Sequence, residues 1–381
     1  MATARTAIRK NNWVNIIFFV VISLVGVIGT PFYIYEYGVS GPEIALFVFF
    51  LVVTPLGITV GYHRQFAHRT YKTNALIRFL LLFFGAASFQ QSALEWSSQH
   101  RDHHRYVDTD QDPYSIKKGF SHAHIGWLMF WQFETDFDNV EGLAKDPLIR
   151  HQHRYYYPWA IVSGIVTPLL LGALTGHLLG ALILSVCLRL TLVYHFTFFI
   201  NSICHMFGRS TYDIYATAKD NWFISYLTFG EGYHNFHHRF SGDYRNGVRW
   251  YQWDPSKWLI WMLEKTGLAW DLRRISNFRI LAAQLAGENR RVSDWLSRNG
   301  TNTELLKIDE AVQSQYNHLK ENLSKWEEAT REYKKILQHQ VADYSKEVRE
   351  SARWDLGEAR QKFDHTHHDW KELLKRYPAV A

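Results

Sequence analysis

The 381-residue sequence predicts an all-α integral membrane protein: four transmembrane helices in two hairpins, a histidine-rich cap at their cytoplasmic ends and a helical C-terminal extension. Three observations predict it. Four apolar stretches are long enough to cross a bilayer, which takes roughly 20 residues. Four groups of histidines each follow an apolar segment, and residues 288–376 are dense in Glu, Lys and Arg. The mean hydropathy of −0.23 is an average over these unlike parts. The 47% hydrophobic and 16% aromatic content lean towards a membrane protein.

The first run, from Trp13 to about Tyr35, lacks a small-residue cleavage signature and is read as a retained span rather than a signal peptide. Arg5, Arg9 and Lys10 precede it, so the positive-inside rule places the N-terminus in the cytoplasm. A second span, about 43–62, follows a break at Gly41 and Pro42 and returns the chain to the cytoplasm at His63. The third, about 159–175, carries a kinking Pro168, and the short Gly176-His177 turn leads into the fourth, about 178–203. Both termini are then cytoplasmic. The segment from Leu76 to Leu94 is apolar but short and ends in Gln90, Gln91 and Ser92. A full crossing there would put His63 and His100 on opposite sides, so it is expected to be a buried or interfacial helix.

Residues 1–287 are read as the membrane domain and residues 288–381 as a cytoplasmic extension. In the extension Val312, Leu319, Trp326 and Tyr333 recur every seventh residue, interleaved with Tyr316, Leu323, Leu337 and Tyr344. This heptad seam predicts helices that pack on one another or on a second copy of the chain, giving a homo-oligomer.

The chemistry lies in the histidines. Cys187 and Cys204 cannot build a disulfide framework and form no CxxC pattern, so any metal site is nitrogen- or oxygen-ligated. The clusters are HRQFAH (63–68), HRDHH (100–104), NSICH (201–205) and HNFHH (234–238). In HRDHH and HNFHH the spacing is i, i+3, i+4, which puts three rings on one helical face. Asn201 and His205 share a face in the same way. His63 and His68 are five apart, about 140° out of phase on an ideal helix, so that pair straddles the end of the second span. Nine imidazoles gathered without a metal would repel one another on protonation and leave buried nitrogens unpaired. Imidazole suits zinc, copper, iron and nickel, and nine rings exceed the roughly four to six positions of one ion, so two ions follow. Structural zinc closes with four ligands and would not need the excess. A pair of redox ions activating oxygen beside an apolar substrate would. Asp108, Asp110 and Asp112 are either acceptors for the outer ring N–H groups or solvated loop residues. The histidines of HTHH, at 365–368, lack a preceding apolar segment and are placed outside the site.

Taken jointly, GITVGYHRQFAHRTYK, FQQSALEWSSQHRDHHRYVDTDQDPYS, TFFINSICH and GEGYHNFHHRF resemble the membrane-bound fatty acyl desaturases, specifically the stearoyl-CoA-type delta-9 branch and its bacterial relatives, over roughly residues 13–260. The resemblance implies a non-haem enzyme with two Fe2+ ions that removes two hydrogens from a saturated acyl chain, using O2 and two electrons, to leave a cis double bond. The family's ligands fall on His63, His68, His100, His103, His104, His205, His234, His237 and His238, and its water-holding asparagine falls on Asn201. Trp96 and Thr197 match positions that shape the kinked acyl tunnel, and residues around Leu51 to Pro55 are expected to cap it. There are departures. Trp131 and Gln132 stand where the animal acyl-CoA enzymes have a basic pair, Ser98 replaces an arginine, and Phe198 replaces a tryptophan. Fewer phosphate-pairing cations weaken the case for CoA, which leaves acyl-CoA, acyl-lipid and acyl-carrier protein all open. Lys117, Lys118, Arg245 and Arg249 remain as candidate headgroup contacts.

The tail has no HPGG-type haem loop, so electrons are expected from a separate protein, such as a ferredoxin or cytochrome b5 with its reductase. The net charge of +6 suits an acidic donor and equally suits an ordinary cytoplasm-facing membrane protein; no nucleic-acid partner is implied. The alternatives are a membrane di-iron fatty acid or alkyl hydroxylase, a metal binder without activity, and a scaffold built on the heptad tail.

Overall fold

The computed structural model describes residues 8–132, 135–299, 303–338 and 346–376. Arg5 and Tyr344 lie outside them. The chain divides into two compact units, Met1–Ser210 with Tyr215–Arg274, and Thr211–Ile214 with Ile275–Ala381.

The principal helices of the first unit are α1 (Trp13–Tyr37), α2 (Gly41–Ala67), α3 (Ala75–Ala86), α4 (Ala93–Tyr106), α5 (Tyr156–Leu174), α6 (Leu178–His205), α7 (His234–Arg239) and α8 (Pro255–Lys265). Of these α1, α2, α5 and α6 are long and apolar enough to cross a membrane. Helix α3, with 12 residues, is about 18 Å long at 1.5 Å per residue, short of a hydrocarbon core of about 30 Å. Its expected place as a non-crossing helix agrees with that length. It presses closely on α2, since a Cβ on Gly57 would lie 2.3 Å from the amide nitrogen of Gly85. Only glycine allows this approach.

The break between α1 and α2 falls slightly earlier than expected. Gly38, at φ 73°, ends α1, and Ser40 caps α2, so Gly41 and Pro42 stand in the first turn of the new helix. Proline suits that position because the first amides of a helix have no intrahelical partner. Buried Glu43 then ties the ends together: it accepts from the Tyr33 hydroxyl at 2.5 Å and from Ser40 Oγ at 2.6 Å. Ser40 Oγ lies 3.2 Å from His177 Nε2, so the α1–α2 turn meets the α5–α6 turn. The histidine clusters occupy the other ends of α2 and α6.

Two antiparallel ribbons depart from the all-α expectation. Ile8–Arg9 pairs with Trp131–Gln132, and Lys72–Thr73 pairs with Ala269–Trp270.

In the second unit α9 (Asn277–Arg298), α10 (Thr303–Gln338) and α11 (Lys346–Lys375) share one apolar core. Leu285, Val292 and Leu296 meet Val312, Leu319, Leu323, Phe363 and Trp370. The buried Trp370 indole N–H donates to Glu288 Oε2 at 2.8 Å. The heptad seam is therefore covered within the chain by α9 and α11. One position differs from the sevenfold reading: Ile336 is buried and Leu337 is 53% exposed. Adjacent residues on a helix point about 100° apart, and only the facing helices decide which enters. Leu319→Ala should destabilise this bundle by about 2–5 kcal/mol through loss of buried surface and cavity formation. A lowered denaturant midpoint for helical circular dichroism would report it.

Candidate metal centre

The site is assembled by four segments: the end of α2, α4, the end of α6 and α7. The last turns of α2, Gly57–Ala67, wind as a π-helix, and the His68 amide donates to His63 O at 3.0 Å, five residues back. One such wide turn brings the two rings to 4.8 Å between centroids. The α-helical phase of about 140° does not apply to this stretch. Arg101 in α4 donates to the carbonyls of Ala67 at 2.7 Å and Phe66 at 3.1 Å, so the last open carbonyls of α2 bind α4 directly. Helix α7 is seated by Asp220, whose Oδ1 accepts from the Phe236 amide at 3.0 Å. Burial pushes the Asp220 carboxyl up to about 7, against the lowering effect of the Phe236 and Asn235 amides.

Nine histidines converge in two groups, within each of which the potential ligand atoms lie within 4.8 Å of one another. His63, His68, His100, His104 and His237 form one, and His103, His205, His234 and His238 form the other. In the first, Nε2 of His237 is 2.9 Å from Nε2 of both His63 and His104, and His68 Nε2 is 2.8 Å from His100 Nε2. In the second, His234 Nε2 is 3.0 Å from those of His205 and His238, and His103 Nε2 is 3.3 Å from that of His238. The i, i+3, i+4 triplets thus divide. His100 and His104 serve one group while His103 serves the other, and His234 and His238 are likewise separated from His237.

The outer nitrogens explain the inner ones. His63 Nδ1 lies 2.8 Å from Glu231 Oε2, and His103 Nδ1 lies 2.9 Å from Asp112 Oδ1. Carboxylates only accept, so each Nδ1 carries the proton, and in the neutral ring Nε2 is a bare lone pair. His205 Nδ1 donates to Thr217 Oγ1 at 2.7 Å, which in turn donates to Asp108 Oδ1 at 2.5 Å. Burial first, and neighbouring rings second, hold His68, His100, His104, His234, His237 and His238 well below the ordinary imidazole range. Neutral rings packed this closely, three of them with Nε2 bare, offer donor sets for cations. The arrangement can hold two metal ions.

Of the three downstream aspartates, Asp112 and Asp108 take the expected role, Asp108 through Thr217. Asp110 is exposed, and its carbonyl only accepts from Lys118. Sequence reading missed Glu231 and Thr217. The glutamate stands three residues before HNFHH within GEGYHNFHH, a visible neighbour, but Thr217 has no motif to mark it. Glu231 is itself held. Its Oε1 accepts from Arg64, which also meets Asp254 at 3.0 Å, and its Oε2 accepts from Asn246 at 2.7 Å. Burial alone would raise this carboxyl, yet His63 and Arg64 bring it below its usual value.

A cavity of about 530 Å³ opens on both groups, with His63, His100, His103 and His234 in its wall. Trp96, Thr197 and Asn201 all line it, and Phe18, Phe19, Pro55 and Tyr194 supply apolar surface. Trp96 stacks on His100 at 4.8 Å, and Thr197 Oγ1 accepts from Gln90 at 3.2 Å. From the stretch expected to cap the tunnel, Pro55 reaches the wall and Leu51 to Thr54 do not. The four basic candidates have internal partners. Lys117 and Lys118 donate to the carbonyls of Asp108 and Asp110, Arg245 pairs with Asp243, and Arg249 donates to the Tyr251 hydroxyl. His365, His367 and His368 do not enter either histidine group.

Residues 41–274 match the family model for fatty acid desaturases. The chain is 36% identical over 292 residues to acyl-CoA desaturase 1 of Saccharomyces cerevisiae, covering 74% of this chain and 56% of that protein. It is 34% identical over 241 residues to stearoyl-CoA desaturase 5 of Bos taurus, covering 61% and 72%. To the sn-1 stearoyl-lipid 9-desaturase of Anabaena variabilis it is 32% identical over 276 residues, covering 72% and 98%. The chain spans a little over half the length of the two yeast relatives it matches. These relatives do not single out a bacterial branch. With four spanning-length apolar helices and these matches, it is a membrane protein, and it belongs to the fatty acid desaturase family.

Proposed function

We propose that the protein is an O2-dependent fatty acyl desaturase that introduces a cis double bond, at the delta-9 position, into a saturated chain carried on CoA or lipid. The observation that carries this reading is the convergence of nine histidine rings in two groups beside a largely apolar cavity. All-imidazole donor sets without thiolate suit iron as they suit zinc, copper and nickel, and the fatty acid desaturase family match favours iron among them. His63, His68, His100, His104 and His237 would hold one ion and His103, His205, His234 and His238 the other, with Asn201 on the wall of the same cavity. When bound, the iron pair would activate O2, which takes two electrons and two protons from outside the site and two hydrogens from the chain and leaves as two waters.

The protein's own residues do the rest. Glu231, Asp112 and the Thr217–Asp108 pair orient the rings. Trp96 and Thr197 border the acyl chain, and the buried wall keeps bulk water from it. The four spans are read as two hairpins, with the histidines and both termini cytoplasmic, as Arg9 and Lys10 before α1 suggest. Residues 1–287 would carry catalysis, with residues 288–381 as the helical extension.

Expression in a strain lacking its own desaturase, with phospholipids, thioesters and free acids analysed separately, tests the reading. New cis-monoenes are expected, of mass two hydrogens lower than the parent chain; a gain of one oxygen would instead establish the hydroxylase. Glu231→Gln removes the charged acceptor behind His63 and should weaken metal retention by about 10–100-fold, measured as iron per protein after graded chelator treatment. Pro55→Phe narrows the cavity beside its apolar wall and should shift preference towards shorter acyl chains. Unchanged chain preference in competition assays would contradict that placement.

A further inference from the structure

Arg189 is the only Asp, Glu, Lys or Arg in α6. It is 0% exposed and, among the described residues, forms no ion pair. A cation in a membrane-spanning helix without a counter-charge is costly and is retained where it does something specific. Its guanidinium has four acceptors from four different places. Nε donates to Ser185 O at 2.7 Å, Nη1 to Ala87 O at 2.7 Å and Thr54 Oγ1 at 3.1 Å, and Nη2 to Gly164 O at 2.7 Å.

Two of these acceptors are carbonyls at places where regular α-helical bonding stops. Gly164 O has no intrahelical donor four residues on, because that residue is Pro168. Ala87 is the cap residue of α3, where carbonyls run out of partners. From Ala87 the chain enters a turn in which Phe89 (φ 54°) and Gln91 (φ 71°) hold left-handed conformations that cost non-glycine residues energy. Phe89, Gln90 and Gln91 all line the cavity, as do Pro55, next to Thr54, and Val193, one turn beyond Arg189. Gly164 also lies against this turn: a Cβ there would come 2.6 Å from the Phe89 ring.

We infer that Arg189 is a positioning residue for regiochemistry: by pinning α2, the strained α3–α4 turn and the Gly164 carbonyl of α5 to α6, it fixes the wall that decides which carbon pair faces the histidines. A planar fork of five N–H donors can hold four acceptors in fixed directions, whereas lysine offers a point charge on a flexible stem. The inference rests on the desaturase reading.

Wild-type, Arg189→Lys and Thr54→Val proteins, produced in the desaturase-deficient host, test it through two readouts: iron per protein, and double-bond position by mass spectrometry of the products. Arg189→Lys should keep its iron while the share of neighbouring positional isomers rises about threefold or more. Thr54→Val, which removes one acceptor of the four, should give a smaller rise. A folded, iron-loaded Arg189→Lys protein with the wild-type isomer pattern overturns the inference. If Arg189→Lys does not accumulate folded, the Thr54→Val pattern decides: a shift supports the inference and no shift overturns it. A wild-type protein that forms no product overturns the desaturase reading and, with it, the inference.

Discussion

Ring nitrogens that face one another are the constraint on which this molecule is built. Nine imidazoles put their Nε2 atoms within hydrogen-bond distance of each other, and in three of them a carboxylate or a hydroxyl takes the outer proton and leaves Nε2 bare. Each acceptor must in turn be buried and compensated. Arg64 lies between Glu231 and Asp254, Asn246 donates to Glu231, and the backbone amides of Asn246 and Gly247 donate to Asp254 at 2.9 and 3.0 Å. These contacts make the loop carrying residues 244–254 and the start of α8 part of the support of the site.

The membrane-spanning helices serve this network by departing from regular winding. The π-helical end of α2 gives His63 and His68 a common direction and leaves Arg64 facing Glu231. Wide turns also occur in α5 and α6, and there the irregular carbonyls meet Arg189. Polar groups inside the apolar part of the bundle thus mark where helical hydrogen bonding has been given up to shape a wall. At the opposite ends Glu43 joins Tyr33, Ser40 and His177, so buried polar contacts also tie the helices away from the histidines.

The second unit obeys simpler rules. Its three helices bury one stripe each, and the charged remainder forms i, i+3 and i, i+4 pairs such as Glu321–Lys325 and Glu358–Lys362. Exposed pairs of this kind contribute little each. The apolar seam, with Trp370 and Leu319 fully enclosed, holds the bundle together.

Much of this was legible in order of residues alone. Four apolar runs, the nine histidines and the heptad series are local patterns, and hydrophobic length, ring spacing and sevenfold recurrence translate directly into helices and faces. Asp112 and Asp108 were visible as acids close behind HRDHH. The division of the histidines into five and four was not, because each triplet is shared between groups and only the crossing of α4 with α7 decides which ring goes where. The π-winding of α2, the choice of Ile336 over Leu337, the roles of Glu231 and Thr217 and three of the four acceptors of Arg189 were likewise decided by tertiary structure. Each depends on a partner distant in the chain, and a chain position states what a residue can offer without stating what it will meet.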